Sequence, residues 1–337
     1  EDGYGLRPNI GLRGSGVSRS SKITLMEDGI LMAPAPYCAP SAYYFPTTGR
    51  MYAVEVLKGS SQIKYGPFTT GGALNLISTP IPQNLSGKIN INGGSFWGRN
   101  IHGYIGNTHG NFGYLVESFN YGSNGFKQLD NGGNTGFNKN DFITKLQFSS
   151  KDDARIEQSL LLKLGYCQET SNETYVGLTQ SDFETSPYRR YAGSQMDVMN
   201  STQNQISLTH NIKPRKGINL STTFYRNNFQ RNWYKLSAVR DSLDNKVGIS
   251  SILSAPESHN RHYELLTGTS SVSGESFYVK GNNRSYYAQG IQSALDLNFE
   301  TGQIIHDIQV GIRYHQDEMD RFQNQDQYSM NDGVMFQ

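Results

Sequence analysis

The stretch Ala154-Arg-Ile-Glu-Gln-Ser-Leu-Leu-Leu-Lys-Leu-Gly-Tyr166 decides the fold through its alternation of side chains. Its even-numbered positions are apolar except at Gln158, and its odd-numbered positions include Arg155, Glu157 and Lys163. Successive side chains of a β-strand point to opposite faces, so this period of two predicts a strand with one apolar and one polar face. The segment is also long enough for a tilted strand to cross a bilayer.

The same alternation recurs in Phe142–Phe148, in Gln205–Ile212 and in Gln303–Tyr314, whereas the faces of Tyr114–Tyr121 cannot be assigned. The connections alternate between short turns and long segments rich in asparagine, glycine and serine. The short turns are 107–111, 150–153, 213–217 and 301–302, and the long connections are 122–140, 168–199 and about 235–285. This rhythm is typical of a transmembrane β-barrel, and a soluble β-sandwich, whose turns recur more evenly, is the alternative.

Composition supports an all-β protein and excludes some classes. The 337 residues include 36 glycines and 12% aromatic residues, which suit turns and pleated surfaces. The chain carries 30 basic and 29 acidic residues, so its net charge of +1 argues against a nucleic-acid partner. No run of 18 apolar residues predicts a transmembrane helix.

The first 82 residues differ from the rest of the chain. Short apolar runs are separated there by glycine, proline and serine, which predicts a small mixed α/β domain at 1–82 followed by the barrel at 83–337. The runs are Asn9–Leu12, Ile23–Met26, Val54–Leu57 and Ala73–Ile77. The proline-rich and aromatic segment Leu31–Pro46 is expected to be an ordered loop.

Five motifs lie in a fixed order within the first domain. They are Asn9-Ile-Gly-Leu-Arg-Gly14, Thr24-Leu-Met-Glu-Asp-Gly-Ile30, Ala33-Pro-Ala-Pro-Tyr37, Arg50-Met-Tyr-Ala-Val-Glu-Val-Leu-Lys-Gly59, and Tyr65-Gly-Pro with Gly71-Gly-Ala-Leu-Asn-Leu-Ile77. In order and spacing they resemble the plug domain of TonB-dependent outer-membrane receptors. The Ala-Pro-Tyr loop is similar to that of the ferric-dicitrate subgroup, as are Gly311-Ile-Arg-Tyr314 and Glu318-Met-Asp-Arg321 farther along.

The resemblance implies a plug inside a barrel of about 22 antiparallel strands. About the first nine of these strands would fall in 83–337, while the TonB box and the later strands would lie outside this sequence. It further implies a multi-pass protein of a Gram-negative outer membrane, in contact with lipid, that is not an enzyme. Such a protein imports a ferric chelate, carries iron only as chelated cargo with no cofactor, and draws energy from TonB and its inner-membrane complex.

The candidate ligand residues are tyrosines of the plug loop and cations of the external loops. Tyr37, Tyr43 and Tyr44 are candidates for ligand contact, although packing against the barrel wall would use the same side chains. Arginine and lysine suit an anionic chelate because they bind carboxylates. The cationic candidates are Arg240, Arg261, Lys280 and Arg284, and solvated loop charges are the alternative. No metal site of the protein itself is predicted.

Two further residues take a role from the resemblance alone. Arg13 and Lys58 occupy the positions at which family members lock the plug to barrel glutamates. Lysine at the second position keeps the charge of arginine but loses its bidentate geometry. Cys38-Ala-Pro-Ser replaces a glutamine-containing stretch of the subgroup. An importer of another siderophore or of a cobalamin-like molecule is therefore an alternative. A passive porin or a soluble adhesin is a more distant alternative. Cys38 and Cys167 are expected to be free thiols.

Overall fold

The computed structural model describes residues 4–40, 43–151 and 153–337, and it places them in one small and one large β-sheet. The small sheet has the strand order β2-β1-β4-β3. Its strands are β1 (Ile23–Glu27), β2 (Ile30–Leu31), β3 (Met51–Leu57) and β4 (Gly72–Ser78). Strands β1 and β4 are parallel and the other pairs are antiparallel. We call the described residues up to position 82 the N-terminal unit.

The N-terminal unit differs from its prediction in two respects. Its described residues contain short 3-10 turns at Ser18–Ser20, Thr48–Arg50 and Ser60–Tyr65, but no α-helix, so the α/β expectation is wrong there. The predicted strand Asn9–Leu12 is irregular, and the backbone N–H of Ile10 donates to Ser20 Oγ over 2.9 Å instead of to a neighbouring strand. The glycines that flank this run favour turns over a sheet ladder.

The large sheet is an antiparallel meander in the order β17-β16-β15-β13-β12-β10-β9-β7-β6-β5, with β14 paired to β13. Its strands are β5 (Ser86–Gly94), β6 (Gly98–His109), β7 (Phe112–Ser123), β9 (Phe137–Ser149), β10 (Glu157–Ser171), β12 (Val198–Arg215), β13 (Ile218–Arg240), β14 (Lys246–Gly248), β15 (Ser276–Thr301), β16 (Ile304–Asn331) and β17 (Val334–Phe336). Strands β8 (Gln128–Leu129) and β11 (Arg189–Arg190) form a separate parallel pair in the connections. Within the described residues β5 and β17 are free edges, so the sheet is open.

Several strands are longer than the alternation of apolar residues predicts. Nine strands of the described chain have 9 to 28 residues, and β13, β15 and β16 alone have 23, 26 and 28. The prediction that 235–285 is one long connection is therefore wrong at both ends. The connection is 241–275, and Lys280 and Arg284 lie within β15 and not in a loop.

The two faces of the large sheet follow the predicted period of two. We call the face that packs against the N-terminal unit the inner face and the opposite one the outer face. In β10, Leu160 on the outer face is 43% exposed, whereas Lys163 on the inner face is 5% exposed. In β7, Leu115 and Phe119 are buried on the inner face and Val116 is exposed on the outer face, which assigns the stretch that the sequence left open.

The long connections lie together at one end of the large sheet. They contain the helices α1 (Gln180–Thr185), α2 (Ile249–Ser254) and α3 (Asn260–Thr267), and 3-10 turns at Ala192–Ser194 and Pro256–His259. Their core includes Tyr191, Ile252 and Leu265, packed against Leu236 and Phe277 of the strands. The short turns at 110–111, 216–217 and 302–303 lie at the opposite end, whereas the short 3-10 turn Ser95–Trp97 lies beside the long connections, where the Phe96 carbonyl accepts from the Asn124 N–H. No helix among the described residues is long and apolar enough to cross a membrane.

Leu162 lies on the outer face of β10 between Leu160 and Leu164, which are both exposed. If β10 crosses the bilayer as the sequence predicts, replacing Leu162 by arginine in the full-length protein, folded into lipid, is expected to lower the free energy of unfolding by about 2–4 kcal/mol, because the charge would then face the bilayer centre. Ser159→Arg, on the inner face of the same strand, is the control and should cost far less. Equal losses for the two variants in a folding titration would refute the assignment of faces.

Candidate functional site: an ion network and a cationic cavity on the inner face

A buried ion network joins the N-terminal unit to the large sheet. Arg50, which ends the turn before β3, is 1% exposed. Its Nη1 and Nη2 donate to the two carboxylate oxygens of Glu27 over 2.8 and 3.0 Å. Its Nε donates to Asp141 Oδ2 of β9 over 2.9 Å. A single guanidinium therefore bridges a carboxylate of the N-terminal unit and a carboxylate of the large sheet.

Lys163 of β10 extends the network from the other side. Its Nζ lies 2.6 Å from Glu27 Oε1 and 2.6 Å from Asp28 Oδ2, so it contacts both carboxylates at the end of β1. Burial alone would raise the pKa of Glu27, but the charges of Arg50 and Lys163 outweigh burial and hold that pKa at about 2. The Glu27 carboxylate is thus ionised throughout the physiological range and paired with two cations.

Close packing accompanies these ion pairs. Gly49 lies so near the Phe119 ring of β7 that an added β-carbon would stand 2.1 Å from its nearest ring atom. Lys145 of β9 donates to the Thr79 carbonyl over 2.7 Å, and the Thr79 hydroxyl donates to Glu117 of β7 over 2.8 Å. The N-terminal unit is therefore held against three neighbouring strands by contacts that only small or complementary side chains permit.

Arg13 and Lys58 lie away from this network. Arg13 Nη2 donates to Gln62 within the N-terminal unit over 3.2 Å. Lys58 is exposed, and no ion pair joins it to another residue in the described parts of the chain. Their pairing with barrel glutamates stays a prediction.

Near the long connections, a cavity of about 560 Å³ opens between the N-terminal unit and the inner face. Its cationic lining residues are Arg7, Arg19, Arg231, Lys235 and Arg284. Glu173 is the one carboxylate in the described lining, and it pairs with Arg7. The cavity therefore carries a large excess of positive charge, which attracts anions.

Aromatic rings hold these cations in place. The guanidinium carbons of Arg231, Arg284 and Arg19 lie 4.3, 5.6 and 5.4 Å from the centre of the Tyr43 ring. On another side of the cavity, Lys235 Nζ lies 3.5 Å from the centre of the Tyr175 ring. Contacts of this kind stabilise a cation without neutralising it, so the charges stay available to a ligand.

Several polar atoms of the cavity are buried without a hydrogen-bond partner among the described residues. They include Nε and Nη1 of Arg231, Nε of Arg284 and Nε1 of Trp233. All four atoms are donors. Leaving a buried donor unpaired costs free energy, and the cost is greater for a charged group. A ligand that supplies acceptor oxygens would remove this cost.

The cavity contains one of the three tyrosine candidates. Tyr43 lines it. Tyr44 is 4% exposed and packs its ring 5.7 Å from that of Phe229 in a hydrophobic core, which is the packing alternative. Tyr37 is 49% exposed and lies elsewhere, with its backbone N–H donating to Asp317 Oδ2 and its ring 5.0 Å from that of His315.

Of the four cationic candidates, Arg284 alone lines the cavity. Arg240 pairs with Asp244, and Arg261 pairs with Glu264 and Glu275 within the 241–275 connection. Lys280 lies on the same face of β15 as Arg284 but outside the lining. Arg240 and Arg261 are therefore engaged in local ion pairs and away from the cavity.

The sequence prediction missed Arg7, Arg19, Arg231 and Lys235 as cavity cations. Arg231, Trp233 and Lys235 share one parity in β13, two residues apart, and this spacing was the available signal. Lys235 falls in the predicted connection 235–285, which hides this parity from the sequence pattern. No group of three metal-ligating side chains occurs in the described part of the chain.

Cys38 and Cys167 are both free thiols, which agrees with the sequence prediction. Partial burial raises the pKa of Cys38, and the nearby Asp317 carboxylate adds to this effect, so that the pKa is about 11. Because the thiolate is the reactive form, alkylation of Cys38 by iodoacetamide at pH 8 is expected to be slow and to accelerate in Asp317→Asn. Cys167 is buried and should react only after denaturation. Wild-type labelling as fast as that of a free cysteine would contradict this.

No family model matches the sequence, but solved structures share its fold. The ferric citrate transporter FecA in its unliganded form aligns with 95% of this chain and 42% of its own, at 18% identity and a TM-score of 0.72. The ferric-catecholate import receptor Fiu from E. coli K12 aligns with 93% of this chain and 46% of its own, at 15% identity and a TM-score of 0.65. BauA, the ferric preacinetobactin receptor from Acinetobacter baumannii, aligns with 94% of this chain and 43% of its own, at 14% identity and a TM-score of 0.63.

The chain thus has the fold of iron-chelate receptors, and it spans less than half the length of these three proteins. They are described as a transporter and as receptors and not as enzymes, in line with the non-enzymatic prediction from the sequence.

Proposed function

We propose that the chain is part of a TonB-dependent transporter of a Gram-negative outer membrane, which binds an anionic ferric chelate and imports it to the periplasm. The observation that carries this proposal is the set of buried, unpaired N–H donors of Arg231, Arg284 and Trp233 in a cavity with excess positive charge. Oxygen-rich anions such as carboxylates satisfy guanidinium donors, often two at a time.

The position of the cavity fits ligand capture from outside. It lies at the end of the large sheet that carries the long connections, and in outer-membrane barrels the long loops are extracellular. The N-terminal unit forms the floor of the cavity through Tyr43 and Arg19. In this proposal the N-terminal unit is the plug and the large sheet is part of the barrel wall. A chelate bound at the surface of the plug contacts both the plug and this wall.

The ion network supports the proposed role of the plug. Arg50, Glu27 and Lys163 hold the N-terminal unit against the wall by contacts that are buried from water. Import then requires that work be done on these contacts, and we infer that TonB with its inner-membrane complex supplies it. The network would keep the plug seated until that energy arrives, which a passive porin would not need.

Among ferric chelates the cavity favours a compact, multiply charged ligand of the ferric citrate type. Its unpaired donors are N–H groups of two arginines and of the Trp233 indole, and the faces of the Tyr43 and Tyr175 rings are already covered by the cavity's own cations. An aromatic catecholate would have to displace those cations in order to stack. FecA is described as a ferric citrate transporter, and Fiu as a ferric-catecholate receptor.

A binding titration of the full-length protein tests this proposal. Ferric citrate should bind, and an uncharged ferric hydroxamate of similar size should bind at least tenfold more weakly. The preference for ferric citrate should shrink as salt rises, because the attraction is partly electrostatic. Tighter binding of the uncharged chelate, or no binding of either, would refute the proposed ligand class.

A further inference from the structure

Two polar side chains of the cationic cavity face each other across neighbouring strands. Trp233 of β13 and Asn282 of β15 are register partners, and both line the cavity. The Trp233 Nε1 and the Asn282 Oδ1 are buried, and neither atom has a hydrogen-bond partner among the described residues. A donor and an acceptor therefore lie side by side in the cavity, and both are unsatisfied.

The two side chains do not satisfy each other, although the β-carbons of facing residues are only about 4.5–5.5 Å apart. The Trp233 ring is held by its neighbours. The Tyr175 ring packs edge-on against it with the ring centres 5.1 Å apart, and Lys235 Nζ lies 4.6 Å from its centre. On the other neighbouring strand Met199 faces Trp233 and offers only a thioether, which is a weak acceptor. The indole N–H is thus left for a group that enters the cavity.

A single atom satisfies both side chains if it accepts a hydrogen bond from Trp233 and donates one to Asn282. A hydroxyl oxygen does both. A carboxylate oxygen accepts but does not donate, so it would leave the Asn282 Oδ1 unpaired and place two oxygen atoms against each other. An ammonium group donates but does not accept, and the cations of the cavity would repel it. The pair therefore favours a hydroxyl group.

The donors for carboxylates lie in the adjacent row of the same face. Arg231 and Arg284 are also register partners, two residues from Trp233 and Asn282 respectively, and both have buried N–H groups without partners among the described residues. Residues two apart on one face of a strand are separated by about 7 Å. A compact ligand with a hydroxyl group close to its carboxylates can therefore contact both rows at once.

We propose that Trp233 and Asn282 form a subsite for a hydroxyl group that is not bound to iron, and that the cavity thereby selects hydroxycarboxylates over carboxylates without a hydroxyl group. This inference rests on the proposed function, since it takes the cavity as the ligand site. It adds Asn282 as a residue that determines specificity. The arginines alone cannot make this selection, because they bind the carboxylates of both classes equally well.

Iron-free citrate and tricarballylate test the subsite, because these two tricarboxylates differ only in the hydroxyl group of citrate. Without iron this hydroxyl group keeps its proton and can donate. In calorimetric titrations of the full-length protein, citrate should bind about tenfold more tightly than tricarballylate, because it makes two additional hydrogen bonds. Asn282→Leu should reduce the affinity for citrate to that for tricarballylate and leave the affinity for tricarballylate unchanged.

Asn283→Leu is the matched control for this variant. Asn283 is the next residue of β15, so its side chain lies on the outer face, where it donates to Asn324 Oδ1. This control should keep the preference for citrate. Trp233→Phe retains an aromatic ring but lacks the N–H, and it should also reduce the preference. It decides the question if Asn282→Leu does not fold.

Equal affinities of the wild type for the two acids would overturn the proposal, because a water molecule would then serve the pair with either ligand. Binding of neither acid would overturn it as well. An equal loss for both acids in Asn282→Leu would show that Asn282 only supports the cavity.

Ferric citrate is titrated into the same wild-type sample, so that the hydroxyl subsite and the proposed function are tested separately. A preference for citrate over tricarballylate without any binding of ferric citrate would refute the proposed import function and leave the subsite standing. Binding of ferric citrate without that preference would refute the subsite and leave the import function standing.

Discussion

Arg50→Met in the full-length protein is expected to lower the free energy of unfolding by about 3–5 kcal/mol, since removing one partner of a buried ion network leaves the others buried without compensation. The Arg50 side chain is fully buried, as is that of Glu27, and the Asp141 carboxylate is nearly so. Methionine fills much of the same volume but supplies none of the three hydrogen bonds to the Glu27 and Asp141 carboxylates. Denaturant unfolding in detergent, followed by a probe in the N-terminal unit, measures the change.

Arg13→Met is the matched control for this experiment. Within the described part of the chain, the Arg13 side chain makes one hydrogen bond, to Gln62, and it is exposed to solvent. An exposed contact of this kind is worth about 1 kcal/mol or less. If Arg50→Met cost no more than Arg13→Met, the ion network would not be what seats the N-terminal unit against the wall.

Arg231→Met is expected to weaken ferric citrate binding by about 1.5–3 kcal/mol, or roughly tenfold to more than a hundredfold, because a hydrogen bond to a charged group contributes about that much. The same variant should not lose stability, since two of the guanidinium nitrogens are buried without hydrogen-bond partners among the described residues. A purely structural role for Arg231 would give the opposite pattern, with lower stability and unchanged affinity.

Arg226→Met provides the control, because Arg226 lies in the same strand on the outer face. Its guanidinium contacts Gln289 and Asn228 and is far from the cavity lining. In a titration with ferric citrate, Arg231→Met should therefore lose affinity and Arg226→Met should keep the wild-type affinity. Equal loss of affinity in the two variants would show that the effect is general electrostatics and not direct contact in the cavity.

The alternation of apolar and polar residues predicts the strands wherever the outer face of the large sheet is apolar. Leu160, Leu162 and Leu164 contrast with Lys163, so the faces of β10 could be assigned from the sequence alone. Farther along β13 the outer residues Asn228 and Gln230 are polar, and the inner residue Arg231 is polar as well. In such a segment the side chains of the two faces do not differ in hydropathy. The sequence pattern therefore predicts strands that are too short.

The site was harder to predict than the fold, because its residues are distant in sequence. The sequence predicts Tyr43 and Arg284 as separate candidates, but nothing in it shows that Arg231 and Arg19 approach the Tyr43 ring. In the sequence Arg50 is only the first residue of a motif, although in the structure it is the most deeply buried cation of the N-terminal unit. Such partnerships depend on the register between the N-terminal unit and the wall, and local patterns do not encode that register.

Uptake of radioactive ferric citrate by intact cells tests the central claim most directly. Cells that lack their other ferric citrate receptors and produce the full-length protein should accumulate iron. Accumulation should stop when TonB is absent or the proton gradient is collapsed, and it should fall with Arg231→Met but not with Arg226→Met. Uptake that persists without TonB, or that is indifferent to Arg231, would contradict the account of an energised importer with an anion-binding cavity.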